Sequence, residues 1–246
     1  MGIAFPCKRS KRFFALLIVS GLLSACGSRV SSVADTVKFA FSGPQDVTLT
    51  ASQINQLNYA TTYATLSGQP RAAIVLTFID HSAAYGQQTQ WAAQDDEIIL
   101  LRNGRLYGTR NLRDEFSAVK YDVLGIESAQ TDPLNCYLRS AQAPQNCAKS
   151  WQAMATVTSD FRDIRYDLTS QINEVSHESV ALSNATLDAV KVTETLTVKA
   201  QHGGSHKYKN TYWFAHHQLI KSDQQLVPEL PRLTTESIKM IGGLEQ

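Results

Sequence analysis

Asp95, Asp96 and Glu97 stand in a row, and Arg102 and Arg105 follow shortly after. Carboxylates beside cations can act as general acid and base, as metal ligands, or as the surroundings of an anion site. Neighbouring acids on an extended chain point to opposite faces, however. Glycoside hydrolysis needs two carboxyls facing each other, roughly 5–10 Å apart, and a consecutive run does not supply them. The trio therefore reads as the approach to a turn. Asn103-Gly104, between the arginines, is the preferred pair for a two-residue type I′ hairpin. That turn pairs Arg102 with Arg105, Leu101 with Leu106, and Leu100 with Tyr107. One face then carries Ile99, Leu101 and Leu106, and the other Ile98, Leu100 and Tyr107, so the hairpin is expected to be buried on both sides. Arg102 and Arg105 fall together beside the turn. They are either solvated there or receive an anion or a carboxylate, and they are the candidate docking pair.

Other chemistries have less support. His202 and His206 are four apart, but Gly203 and Gly204 between them disfavour a helix. His216 and His217 are adjacent and would diverge on a strand. No spacing matches a metal site, and there is no nucleophile elbow, P-loop or dinucleotide fingerprint. No metal, cofactor or catalytic residue is assigned. Trp91, Trp151 and Trp213 are candidates for stacking on sugar rings, against a default role in filling a β core.

The N-terminus is more specific. Lys8, Arg9, Lys11 and Arg12 precede an apolar run from Phe13 to Leu23. This is a secretory signal pattern, too short for a membrane span of roughly 20 residues. Its exit, Leu23-Ser24-Ala25-Cys26, resembles the bacterial lipobox, which implies acylation of Cys26 and cleavage before it. Residues 1–25 are thus the leader, 26–30 a tether and 31–246 a single mainly-β periplasmic domain. Losing the leader's four cations moves the formal net charge from +1 to −3. A mildly acidic body lacks the basic stripe of a nucleic-acid binder. Gly27 after the cysteine, by resemblance to enterobacterial lipoproteins, favours the outer membrane. With Cys7 in the leader and Cys26 lipidated, Cys136 and Cys147 remain, and in an oxidising compartment they are expected to form a disulfide across an exposed polar loop.

The elements that must position these residues are mostly strands. Residues 31–44 read as a short amphipathic helix. Thr50 and Gln53 have capping-box spacing, with Ile54 and Leu57 marking a turn or two of helix. From Tyr59 the period becomes two: 59–66 and 72–79 are strands, and 80–90 is expected to be an exposed loop. Further runs at 153–158, 165–174, 178–182 and 189–199 are followed by turns at Gly203-Gly204 and His216-His217, an irregular 227–233 and a last strand at 234–241. This is mainly β: a large antiparallel sandwich or an incompletely closed barrel with short peripheral helices.

The segments "VADTVKFAF", "DVTLTASQINQLNYATTYATL", "QWAAQDDEIILLRNGRLYGTRNL", Asp132-Pro133-Leu134 and the tail with Asn210, Thr211, Trp213, Pro228 and Pro231 resemble the YjbF/GfcB lipoprotein family of capsule and exopolysaccharide operons. The resemblance implies a mostly β, lipid-anchored outer-membrane protein facing the periplasm. It implies a non-enzymatic accessory role in exopolysaccharide assembly or export, with other envelope proteins of the same operon and the polysaccharide itself as candidate partners. The alternatives are a lipid- or lipoprotein-handling carrier, whose half-barrel would hold an acyl chain, and a polysaccharide-modifying enzyme. The stretch 135–146 looks like a local elaboration.

Overall fold

The computed structural model describes residues 45–82, 85–93, 97–114, 117–139, 146–159 and 162–242. The leader, Cys26, the helix expected at 31–44, Asp95 and Asp96 lie outside the described residues. Those described belong to one unit, Ala40–Gln246.

Thr50 opens α1 (Ala51–Gln56) with a complete capping box: its side chain accepts from the Gln53 N–H while the Gln53 side chain accepts from the Thr50 N–H. The segment around α1 lies over β1 (Thr61–Leu66) and β2 (Ala72–Ser82), where Leu49, Leu57 and Ile54 cover Tyr63, Ala73 and Ile238. The Tyr63 hydroxyl accepts from the Leu49 N–H at 2.7 Å, which fixes that cover in register.

The chain then runs through β3 (Gly86–Ala92), β4 (Ile98–Arg102), β5 (Arg105–Arg110), the short β6 (Arg113–Asp114), and β7 (Ser117–Glu127). After α2 (Leu134–Leu138) come β8 (Ser150–Ser159), β9 (Arg162–Ala181), β10 (Thr186–Ala200), β11 (Ser205–Ala215), β12 (Gln218–Gln224) and β13 (Leu233–Lys239). The sheet order is β5-β4-β3-β2-β1-β13-β12-β11-β10-β9-β8-β7-β6. It is a meander cut at one place only, with the first strand paired to the last. Bulges in several ladders add local twist, and β5 comes round beside β7. The result is a nearly closed barrel, the second of the two architectures expected from the sequence.

Alternation places the core. Along β10, Val190, Val192, Glu194, Leu196 and Val198 face inward and all are buried. Leu196 and Val198 join Trp151, Tyr166, Leu168, Leu226 and Leu233 in the main apolar cluster. Val190 and Val192 instead meet Tyr212, Phe214 and the buried residues of α2. At about 1.5–3 kcal/mol for each fully buried large apolar side chain, these two clusters dominate the stabilisation of the body.

The β4–β5 hairpin reaches into this interior. Asn103 (φ 54°) and Gly104 (φ 87°) form its left-handed turn, and Gly104 lies against Leu219 and Phe214. The Arg102–Arg105 and Leu101–Leu106 pairs form as expected, but a bulge then pairs Leu100 with Gly108 instead of Tyr107. The outer edge of β5 does not go unpaired: the Leu106 N–H donates to Gln224 Oε1 at 2.8 Å, and Gln224 Nε2 donates to the Gly104 carbonyl at 3.1 Å. A glutamine side chain thus stands in for a neighbouring strand.

Three expectations are corrected. The loop expected at 80–90 is mostly strand, because β2 runs on to Ser82 and β3 begins at Gly86. The runs 165–174 and 178–182 are one strand, β9, continuous past a bulge opposite Thr193/Glu194. The segment after Cys136 is not simply exposed: Tyr137 and Leu138 are buried, because α2 stops one end of the core.

Gly86 shows how tightly the hairpin tip is held. Asn103 Oδ1 accepts from the Gln87 N–H at 3.0 Å, and Asn103 Nδ2 donates to the Tyr85 carbonyl at 3.0 Å. Gly86 has φ 80°, and a Cβ there would clash with Asn103 and Asn135. Gly86→Ala should therefore lower stability by more than the roughly 1–2 kcal/mol of a left-handed alanine alone, measured as a shift in the urea midpoint.

Candidate functional site

Inside the barrel, beneath the hairpin, lies a buried polar cluster. Arg105 is 2% exposed. Its Nε donates to Asp132 Oδ2 at 2.5 Å, and its Nη1 and Nη2 donate to Glu194 Oε1 and Oε2 at 2.6 and 2.8 Å. Glu194, with no exposed surface, also accepts from Asn210 Nδ2 at 3.0 Å, from the Tyr212 hydroxyl at 2.9 Å, and from the Ser170 hydroxyl. The Trp151 ring lies 4.7 Å from the Arg105 guanidinium carbon. Asp132 reaches the cluster because its Oδ1 accepts from the Leu134 N–H at 3.0 Å, fixing the carboxylate at the entry to α2.

The electrostatics follow from this geometry. Burial opposes the charge of Glu194, but Arg105, with hydrogen bonds from Ser170 and Asn210, outweighs it and holds the carboxyl below its ordinary range. Burial likewise opposes the Arg105 cation, and Asp132 and Glu194 more than reverse that, raising its pKa further. Burial, opposed by Arg105 and reinforced by Glu194 and Asp132, keeps the Tyr212 phenol protonated. Both carboxylates are committed to one guanidinium, and this makes the cluster a structural clamp between β5, β10, β11 and the α2 entry.

Of the outcomes open to it, Arg105 takes the carboxylate one, buried and paired instead of solvated at the tip. The fold takes it inward because its partners are carboxylates of the same chain. Arg102, its cross-strand partner, is only partly buried. Its guanidinium carbon lies 3.7 Å from the Tyr107 ring centroid and 5.0 Å from that of Tyr85. Its Nε is buried without a hydrogen-bond partner among the described residues. The two arginines border one cleft of about 90 Å³, lined also by Tyr85, Tyr107, Gln130 and Trp151.

The three tryptophans part company. Trp91 is a core residue whose Nε1 donates to Thr89 Oγ1 at 2.9 Å. Trp151 is buried between Arg105 and the cleft, with Nε1 donating to the Gln130 carbonyl at 3.2 Å. Trp213 is partly exposed and lies apart, its Nε1 donating to Glu178 Oε1 at 2.6 Å, with Lys191 and Lys221 near its ring. Hydrogen bonds from Trp213 and Lys191 lower the Glu178 pKa despite some desolvation. Only Trp151 joins the arginines. Cys136 and Cys147 form a disulfide that ties α2 to the segment leading into β8. No group of three or more metal-ligating side chains occurs among the described residues.

Asp132, Glu194 and Tyr85 were missed as site residues. Glu194 had a signal: it is the one acid in the alternating face Val190, Val192, Leu196 and Val198. Asp132 stood in a noted motif, but nothing in the sequence linked it to Arg105. Tyr85 lay within the presumed loop.

The comparisons with known proteins follow the fold. A family model described as group 4 capsule polysaccharide lipoprotein gfcB, YjbF matches residues 34–238. The uncharacterized lipoprotein YjbF of Escherichia coli K12 is 24% identical over 226 residues, 92% of this chain and 96% of that one. The uncharacterized lipoprotein GfcB of the same strain is 29% identical over 119 residues, 48% of this chain and only 50% of that protein's length. Among solved structures, the hypothetical lipoprotein YmcC from Escherichia coli K12 aligns with a TM-score of 0.61 at 22% identity, over 77% of this chain and 88% of that one. That likeness speaks for the fold alone.

Proposed function

Because the chain belongs to the YjbF/GfcB family of group 4 capsule polysaccharide lipoproteins, we propose that it is a non-enzymatic accessory factor in exopolysaccharide or capsule assembly and export. In this reading it is anchored in the outer membrane through Cys26, faces the periplasm, and works with other envelope proteins of its operon. The observation that carries the reading is the family match across residues 34–238.

The geometry is consistent with a binding module. An acyl carrier would need an open apolar cavity, where here Ile74, Leu101, Leu196 and Leu226 pack together. A glycosidase-like enzyme would need two free carboxyls, whereas Asp132 and Glu194 are both held by Arg105.

Deleting the gene should lower or alter surface polysaccharide under inducing conditions, and the intact gene should restore it. Normal polysaccharide in the deletion strain, with no second family member expressed, would refute the role. Cys26→Ser should leave the protein unacylated and move it from the membrane pellet to the soluble fraction, since stable anchoring depends on the acyl chains. Unchanged sedimentation would refute the anchor.

A further inference from the structure

We propose that the cleft at Arg102 binds the acidic group of a saccharide, with Arg102 holding the carboxylate and Tyr85 stacking on the sugar ring. The proposal rests on the export reading above and names the ligand class for this face of the barrel.

The two arginines of the hairpin make the case. They sit directly across from each other, an arrangement that destabilises slightly for like charges. The fold neutralises Arg105 with two carboxylates and gives Arg102 none: among the described residues, Arg102 takes part in no ion pair. Two tyrosines hold its guanidinium in place instead, and its buried Nε has no acceptor among the described residues. A guanidinium so fixed is prepared for bidentate recognition of a planar anion. Asp132, also on the cleft wall, does not repel such an anion as a free carboxylate would, because Arg105 pairs with it.

Size and lining narrow the ligand. A cleft of about 90 Å³ is small beside the roughly 300–1,000 Å³ of a pocket that encloses a whole ligand, so it takes one substituent and not a sugar chain. The rest of the ligand must lie outside. There, Tyr85 is 55% exposed, one of three large apolar side chains so exposed among the described residues. An aromatic face beside a cationic hole fits a sugar ring bearing an acidic substituent. Gln130 and Thr131, which also line the cleft, offer polar groups to its hydroxyls.

The test is calorimetric titration of the full-length lipoprotein in detergent. The acidic probes are tetragalacturonate and hyaluronan tetrasaccharide, with maltotetraose as the neutral chain and inorganic phosphate as the bare anion. At least one acidic tetrasaccharide should bind, with affinity falling as salt rises, and both controls should bind at least about tenfold more weakly. Arg102→Gln should reduce acidic binding by about tenfold or more, and Tyr85→Ala by several-fold. Tyr85→Ala removes an exposed ring and leaves no core cavity, so it reports on binding even if Arg102→Gln loosens the hairpin. The proposal is overturned if neither acidic probe binds, if both variants bind like the wild type, or if phosphate or maltotetraose binds equally well. Normal polysaccharide in the deletion strain would instead overturn the export role while leaving a measured, Arg102-dependent affinity intact.

Discussion

Arg105→Met should be among the most damaging substitutions in the barrel, lowering stability by about 3–5 kcal/mol. The guanidinium holds two carboxylates, one of them with no exposed surface. Removing it strands Glu194 as a buried anion supported only by Ser170, Asn210 and Tyr212. Against a typical total of about 5–15 kcal/mol, that loss approaches unfolding. The clamp is not intrinsically stabilising, however, since all three charged groups had to be desolvated. Arg105→Met combined with Glu194→Met should therefore recover part of the loss, with Asp132 still unpaired, and urea midpoints of single and double variants read the difference.

The pH dependence of this clamp has a definite sign. Glu194 titrates below its ordinary range in the folded protein. Its contribution is therefore fully present above the unfolded value of about 4.3 and is lost as pH falls through the lower folded value. In Arg105→Met the chief counter-charge is gone and burial dominates, so acid should narrow the gap between variant and wild type. Urea midpoints from pH 7 down to pH 3 would show the two curves converging.

The second large effect is expected from the disulfide. Cys136→Ser with Cys147→Ser should lower stability by about 3 kcal/mol on the chain-entropy model, given a sequence separation of 11. The local consequence matters more. A helix of five residues has no stability of its own, yet α2 supplies Leu134, Tyr137 and Leu138 to the second apolar cluster. Without the crosslink, α2 should loosen first, and Asp132 at its entry should lose its fixed approach to Arg105. Faster amide hydrogen exchange at 135–138, ahead of β10 and β11, would show this. Equal protection of α2 with and without the bridge would refute it.

Much of the fold was legible because it is written in local chemistry. The Asn103-Gly104 turn, the Thr50–Gln53 capping box and the His216-His217 reversal each depend on a few adjacent residues, and each is present. Of the two apolar faces of the β4–β5 hairpin, the one with Ile99, Leu101 and Leu106 is buried as expected, while Ile98, Leu100 and Tyr107 on the other are only half-buried. The bulge at Tyr107 was not legible, because it depends on how β5 must bend to place Arg105 against β10. The loop presumed at 80–90 failed for a similar reason: Gln87, Gln88 and Gln90 look like loop residues, but β2 and β4 give their backbone partners on both sides. The candidate site was half visible. Its arginines were named, but their opposite fates depend on contacts spanning 27 and 89 residues of sequence, and alternation within one strand cannot reveal those.

The pairing of β1 with β13 bears on how the chain acquires its shape. Thr61 lies opposite Lys239, so the ladder that joins the ends of the meander can form only when nearly the whole polypeptide is available. Every other ladder joins strands that are consecutive in the chain. The closing step carries the loop-closure entropy of the entire body and sets a high contact order, which slows folding. Until it occurs, β1 and β13 both present open edges, the surfaces most prone to pairing with other chains. A protein delivered through a membrane from its N-terminus would carry that exposed edge for the whole of its passage, and its last strand would be the one that makes it safe.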